Sequence, residues 1–282
     1  MSVFDAIVLG LVQGIAEFLP VSSSGHLILA REVLGLQVEQ GLAVDAVLQL
    51  VTALAVVLYF RKDLWSLTVS AWCVVRGGKV ERADKVMLGA LILGTVPAVV
   101  AGLFLEELMD TTFRSATLVA WVLILGSMLF ILAEYVQGRW AVYYSLDRED
   151  VRKASVNRLT LSKGILIGFF QALALVPGMS RSGATISGGM LLGLSREQSA
   201  RFAFLLSVPI ILGAGTKKLS ELVIGEGVVS SEWHMIVLAS LVAFASGIAS
   251  IHYLLHYLKH HSLMIFVVYR VALAIIVLTF VI

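Results

Sequence analysis

Six stretches of this chain are apolar over the length of a membrane crossing: approximately residues 42–60, 86–105, 116–136, 199–216, 235–258 and 263–282. A helix needs about 20 apolar residues to cross the roughly 30 Å hydrocarbon core. A soluble globule cannot bury six such runs beneath so few charges. Of the 282 residues, 59% are hydrophobic and 14% charged, with a mean hydropathy of +0.95, against roughly 45–50% and about 25% in soluble domains. The sequence therefore predicts an all-α polytopic membrane protein. With 4 Pro, one Cys and no low-complexity tract, disorder, fibrous repeats and disulfide scaffolds are excluded. A formal charge of +2, with its basic residues scattered, gives no nucleic-acid footprint. The N-terminus carries Asp5 where a secretory signal would be basic, so the first apolar segment is expected to be retained.

Two other apolar stretches, 3–19 and 161–176, each stop at a proline, Pro20 and Pro177. Each proline opens a Ser/Gly-rich run, Val21-Ser22-Ser23-Ser24-Gly25-His26 and Gly178-Met179-Ser180-Arg181-Ser182-Gly183, followed by a short apolar piece. Polar turns are excluded from hydrocarbon unless protein walls them, so both stretches read as re-entrant helix hairpins. Basic residues fill the loop 61–85 (Arg61, Lys62, Arg76, Lys79, Arg82, Lys85) and the loop 137–160 (Arg139, Arg148, Arg152, Lys153, Arg158) with Lys163 beyond it. The positive-inside rule makes both loops cytoplasmic. The connections with Glu106, Glu107 and Asp110, and with Glu221, Glu226 and Glu232, hold only Arg114, Lys217 and Lys218 as bases, so they are expected outside.

The chain is thus expected to form one integral-membrane domain, an inverted repeat of 1–136 and 161–282 joined by the cytoplasmic loop 137–160. Each half holds one re-entrant hairpin plus three transmembrane helices. A weak echo supports it, Gly10-Leu11-Val12-Gln13 against Gly168-Phe169-Phe170-Gln171, then Pro20 with Ser23 against Pro177 with Ser180. Inverted repeats with broken helices place a site near the midplane. Glycines at 89, 94 and 102, and at 188, 189 and 193, allow close helix packing within a subunit or in a homodimer.

Charge inside hydrocarbon is costly and marks function by default. Gln13 and Glu17 share one face of the first half-helix; the carboxylate suits a divalent cation or a base. Ser22, Ser23 and Ser24 beside His26 form a hydroxyl–imidazole pattern, in which Ser23 or His26 is the nucleophile. The same serines suit a helix N-cap, and amides at a helix N-terminus bind phosphate. Ser180-Arg181-Ser182-Gly183 with Thr185 supplies a guanidinium fork, hydroxyls and amides suited to phosphate. Asp45, Gln49 and Arg201 are expected to support these residues, and Arg270 to serve as a structural partner. His252, His256, His260 and His261 have helical spacing without a carboxylate or cysteine, and no metal site is expected there.

Gln13-Gly14-Ile15-Ala16-Glu17-Phe18-Leu19-Pro20-Val21-Ser22-Ser23-Ser24-Gly25-His26 and Pro177-Gly178-Met179-Ser180-Arg181-Ser182-Gly183-Ala184-Thr185 closely resemble the two signature motifs of the bacterial undecaprenyl-pyrophosphate phosphatase (bacitracin-resistance) family. Ala200-Arg201-Phe202-Ala203-Phe204-Leu205-Leu206-Ser207-Val208-Pro209 and Tyr269-Arg270 extend the likeness nearly end to end. The resemblance implies an enzyme of the bacterial plasma (inner) membrane that removes the terminal phosphate of C55 isoprenyl diphosphate. Its product is the lipid carrier of cell-wall synthesis, and the activity confers bacitracin resistance. It also implies a divalent cation, magnesium or calcium, and a site opening to the periplasmic or extracellular side. Carried over by motif, Glu17, Ser23, His26 and Arg181 are catalytic, with Glu17 on the metal. Gln13, Ser22, Ser24, Ser180, Ser182 and Thr185 bind substrate. Many members have Glu where this chain has Gln13, so a paired-carboxylate metal site is not available. The rival expectation is a lipid-phosphate flippase or ion-coupled transporter, because the same architecture serves transporters.

Overall fold

A computed structural model describes residues 1–35, 38–110, 115–146, 159–224 and 233–280. Among these residues there are eleven helices and no strand: α1 (Val3–Ala16), α2 (Ser23–Leu34), α3 (Val38–Tyr59), α4 (Arg61–Val75), α5 (Arg82–Asp110), α6 (Ala116–Leu146), α7 (Leu161–Leu173), α8 (Arg181–Leu191), α9 (Arg196–Ile224), α10 (Trp233–Tyr257) and α11 (Met264–Phe280). Of the charges that carry the sidedness expectation, Arg114, Arg148, Arg152, Lys153, Arg158, Glu226 and Glu232 lie outside the described residues.

Both broken apolar stretches form hairpins. Ser2 and Asp5 cap α1 reciprocally, Ser2 Oγ accepting from the Asp5 amide at 3.1 Å and Asp5 Oδ2 from the Ser2 amide at 2.7 Å. Thr160 Oγ1 caps α7 through the Lys163 amide at 3.2 Å. Each first half-helix ends one turn before its proline, as the clash between a proline ring and a preceding α-helical residue requires. The chain then folds back, α2 packing on α1 and α8 on α7.

Among the described residues four helices are long and apolar enough to cross a membrane, over Arg82–Leu105, Ala116–Arg139, Arg196–Lys217 and Trp233–Tyr257. The expected span 42–60 is the first limb of a bent pair: Val44–Tyr59 and Arg61–Val75 meet at 81° and together make a fifth candidate. The last expected span is α11, whose 17 residues cover about 25 Å at 1.5 Å per residue. The protein is therefore a multi-pass membrane protein.

Two expected loops are partly helical. Residues 61–75 form α4, with Leu67 and Ser70 buried beneath it and Trp65, Val69 and Trp72 exposed above. Its mixed charge reads as loop, yet such an amphipathic, Trp-bearing helix suits the plane of the interface. The expected loop 137–160 begins as helix, because α6 continues to Leu146.

The helix pairing is reciprocal: α1 lies along α10, and α7 along α5. Small residues permit it. A Cβ on Gly14 would sit 2.0 Å from Ser246 Oγ, and one on Gly168 would sit 2.1 Å from the Gly94 carbonyl oxygen. Gly94 is thus used inside the subunit, as are Gly188 against Phe170 and Gly189 against Ser199. The central core gathers Phe18, Phe60, Phe204, Leu254 and Phe266, with Phe18 edge-on to Phe204 at 5.6 Å. Outward Ile92, Phe104, Leu241 and Val268 would be unfavourable in water and suit acyl chains.

Candidate active site

The two broken loops meet at Glu17. It follows the last turn of α1, its amide bonding the Gln13 carbonyl at 3.0 Å. Its Oε2 accepts from Ser23 Oγ at 2.6 Å and from Gln13 Nε2 at 3.1 Å. Its Oε1 accepts from Arg181 Nη2, on the other loop, at 2.5 Å. The carboxylate side chain is 3% exposed and that of Arg181 is 23% exposed, so the acid is buried and the base is partly exposed. A buried carboxylate requires such partners.

The second half-helices start alike. Ser22 and Ser180 both adopt a left-handed backbone, with φ 79° and 73°. Ser22 Oγ accepts from the Gly25 amide at 3.4 Å, and Ser180 Oγ from the Gly183 amide at 3.1 Å. Each lies the same distance in sequence after a buried glutamine, Gln13 or Gln171. The echo read from the prolines, Ser23 with Ser180, is therefore one residue out of register. The cap pairs Ser22 with Ser180, which sets Ser23 against Arg181, Ser24 against Ser182 and Gly25 against Gly183. Helix position, rather than distance from the proline, decides the correspondence.

Further bonds tie the loops together. Ser22 Oγ accepts from the Gly178 amide at 3.0 Å and lies 3.5 Å from Ser24 Oγ; Ser182 Oγ donates to the Leu19 carbonyl at 3.3 Å and lies 3.2 Å from Ser180 Oγ. Thr185 Oγ1 donates to the carbonyls of Arg181 and Ser182 at 2.7 and 3.2 Å, steadying the first turn of α8. The first residues of α2 and α8, Ser23 and Arg181, both bond Glu17, so two helix N-termini, whose amides and dipoles favour an anion, begin at one carboxylate.

His26 has other partners. Its Nδ1 lies 2.7 Å from the Ser22 carbonyl and its Nε2 lies 2.7 Å from the Tyr269 hydroxyl. A carbonyl only accepts, so Nδ1 carries the proton. The hydroxyl of Ser23 is therefore held by Glu17, not by the imidazole with which sequence pairs it.

Arg270 is fully buried at 0% exposure, and its partners are neutral. It donates to Pro20 O at 3.4 Å in the first loop, to Gly178 O at 2.9 Å and Met179 O at 3.2 Å in the second, and to Leu123 O and Ser127 Oγ of α6 at 3.1 and 3.2 Å. Its guanidinium lies over the Phe130 ring at 4.7 Å. It is a structural partner as expected, but of both loops at once. Sequence offers only a charge in an apolar run as the clue, because bonds to carbonyls have no residue pattern.

Asp45 and Arg201 are engaged elsewhere. Asp45 takes Arg31 of α2 in a two-pronged pair, both contacts 2.5 Å. Arg201 pairs with Asp63 of α4 at 3.0 Å and stands over the Phe60 ring. The main-chain carbonyl of Gln49 accepts from Thr52 Oγ1 at 2.7 Å. His252 lies 3.1 Å from the Tyr59 hydroxyl.

Among the described residues no three His, Cys, Asp or Glu side chains converge on a metal position. At the junction the oxygen donors are the Glu17 carboxylate, the Ser23 hydroxyl and Gln13 Oε1, which is buried without a hydrogen-bond partner. Hard cations accept such all-oxygen sets and keep water or phosphate in the remaining positions, so these residues fit a divalent cation shared with a phosphate ligand.

Residues 6–276 match the family described as bacitracin resistance protein BacA. An undecaprenyl-diphosphatase of Thermobifida fusca is 41% identical, covering 100% of this chain and 91% of its own length. Those of Alteromonas mediterranea and Myxococcus xanthus are 37% and 39% identical, covering 100% and 99% of this chain and 99% and 89% of theirs. With buried Glu17 and partly exposed Arg181 joining its two broken loops, the chain belongs to the bacitracin resistance protein BacA family.

Proposed function

We propose that this chain hydrolyses undecaprenyl diphosphate to undecaprenyl phosphate and inorganic phosphate, recycling the lipid carrier of cell-wall synthesis and conferring bacitracin resistance. The observation that carries the reading is the Glu17–Arg181 contact. It brings a carboxylate, a guanidinium, the Ser23 hydroxyl and two helix N-termini to one point, and phosphoryl transfer needs mainly positioning and charge neutralisation. The transporter alternative is not favoured, since the relatives' names and the meeting of Arg181 and Ser23 at Glu17 both point to phosphate chemistry.

In this mechanism the isoprenyl tail lies among the helices and the diphosphate enters at the loop junction. Arg181, the more exposed partner of the ion pair, turns its fork to the terminal phosphate. Ser23 Oγ attacks the terminal phosphorus as Glu17 Oε2, 2.6 Å away, accepts its proton. The bond from that phosphorus to the bridging oxygen breaks, and isoprenyl monophosphate departs. Water then attacks the phosphoserine, and inorganic phosphate leaves. His26, whose Nε2 meets the Tyr269 hydroxyl, handles a proton at the leaving-group or water side. A magnesium or calcium ion held by Glu17 and Gln13 would neutralise phosphate charge when bound. The site is proposed to open on the periplasmic or extracellular side of the plasma membrane.

The test is phosphate release from undecaprenyl or farnesyl diphosphate by the full chain in detergent, with and without a chelator. Chelator-sensitive release abolished by Arg181→Ala and by Glu17→Ala is expected. Absence of release from folded wild type with any added cation rejects the reading.

A further inference from the structure

Tyr269 takes no part in the mechanism above, yet it meets one of its groups. Its hydroxyl, on α11, lies 2.7 Å from His26 Nε2, on α2. The rings are nearly parallel, with an interplanar angle of 10° and centroids 5.6 Å apart. Ser22 O already takes the Nδ1 proton at 2.7 Å, so Nε2 is the only ring nitrogen left for chemistry, and Tyr269 is what meets it. A phenol hydroxyl both donates and accepts. It can donate to the bare Nε2 of the neutral ring and accept from the protonated ring, so one side chain serves both states. Tyr269 is 46% exposed, which places this bond at the margin of the protein. The next residue, Arg270, is anchored to both loops through Pro20, Gly178 and Met179, so the hydroxyl is carried on a backbone tied to the site.

We infer that Tyr269 is a positioning residue for His26, fixing the ring by holding Nε2 while Ser22 O holds Nδ1. The inference rests on the phosphatase reading for its kinetic consequence and on geometry alone for its spectroscopic one. In steady-state phosphate release from farnesyl diphosphate, Tyr269→Phe lowers kcat about tenfold, on the scale of a mispositioned proton-transfer group, with KM within about twofold. In ¹⁵N spectra of imidazole-labelled protein, the His26 signals are identified by their loss in His26→Gln. Wild type shows Nδ1 protonated and Nε2 accepting a hydrogen bond, and Tyr269→Phe moves the Nε2 signal to that of a free acceptor. A wild-type ring protonated at Nε2 alone overturns the inference without any Tyr269 variant having to fold. An Nε2 signal unmoved in folded Tyr269→Phe, or a kcat unchanged by it, overturns it as well. If wild type releases no phosphate, the phosphatase reading fails while the spectra still decide the role of Tyr269.

Discussion

Ser22 and Ser180 share a left-handed backbone, φ 79° and 73°, at the start of the two half-helices that meet at Glu17. For a residue with a Cβ this conformation costs on the order of 1–2 kcal/mol, and each serine offsets part of it by capping the helix it starts. The strain is stored where the loops turn toward one another, as is common at functional sites.

Ser180 separates these two effects. Ser180→Gly relieves the backbone while losing the side-chain cap, and stability changes by less than about 0.5 kcal/mol. Ser180→Ala keeps the strain and loses the cap, costing about 1 kcal/mol. Thermal unfolding in detergent should place the alanine variant below the glycine variant.

Arg181 contributes a fork rather than only a charge. Arg181→Lys keeps the charge but loses paired donors toward phosphate, so kcat/KM should fall by about 10²-fold or more. Arg181→Ala also leaves the Glu17 carboxylate without its ion-pair partner and should fall further. Phosphate-release kinetics rank the two.

Gly126 tests the Arg270 clamp at a distance from the chemistry. A Cβ there would sit 2.2 Å from Arg270 Nη2, so Gly126→Ala must displace the guanidinium or bend α6. A loss of stability of about 1–3 kcal/mol, together with a fall in kcat, is expected. Arg270→Met leaves the buried carbonyls of Pro20, Gly178 and Met179 without this donor and should cost at least about 3 kcal/mol. Melting temperature and turnover should fall together in both variants.

Gln13→Glu tests the cation. It replaces the unpartnered Gln13 Oε1 with a second carboxylate near Glu17, and hard cations bind more tightly as ligand charge rises. Half-activation by magnesium or calcium should shift to about tenfold lower concentration, read by titrating the ion into chelated enzyme.

Much of this was legible in the sequence because the physics is local. A proline followed by serines and glycines stops an apolar helix, so both broken loops could be placed from Pro20 and Pro177, and the cost of burying Glu17 and Arg181 pointed to their meeting. The helix α4 was hidden because Arg61, Lys62 and Asp63 resemble loop composition. An interfacial helix carries charge and apolar surface together. The Arg270 clamp was hidden because it bonds carbonyls, which every residue has. The Ser23–Glu17 bond was hidden because neighbours in sequence, Ser23 and His26, suggested a pairing that the turn at Ser22 directs elsewhere.

The reciprocal packing of α1 on α10 and of α7 on α5 bears on how the chain is made. The first half-helix, complete at Ala16, packs on α2 early but lacks its principal partner until α10 begins at Trp233. At translation rates of about 5–20 residues per second, that wait is on the order of ten seconds or more. Through it Glu17 is buried in neither its own fold nor its ion pair, since Arg181 also arrives late. The Glu17–Arg181 junction is therefore a late product of biosynthesis, and a ribosome stalled between the halves leaves a hairpin without the loop it closes on.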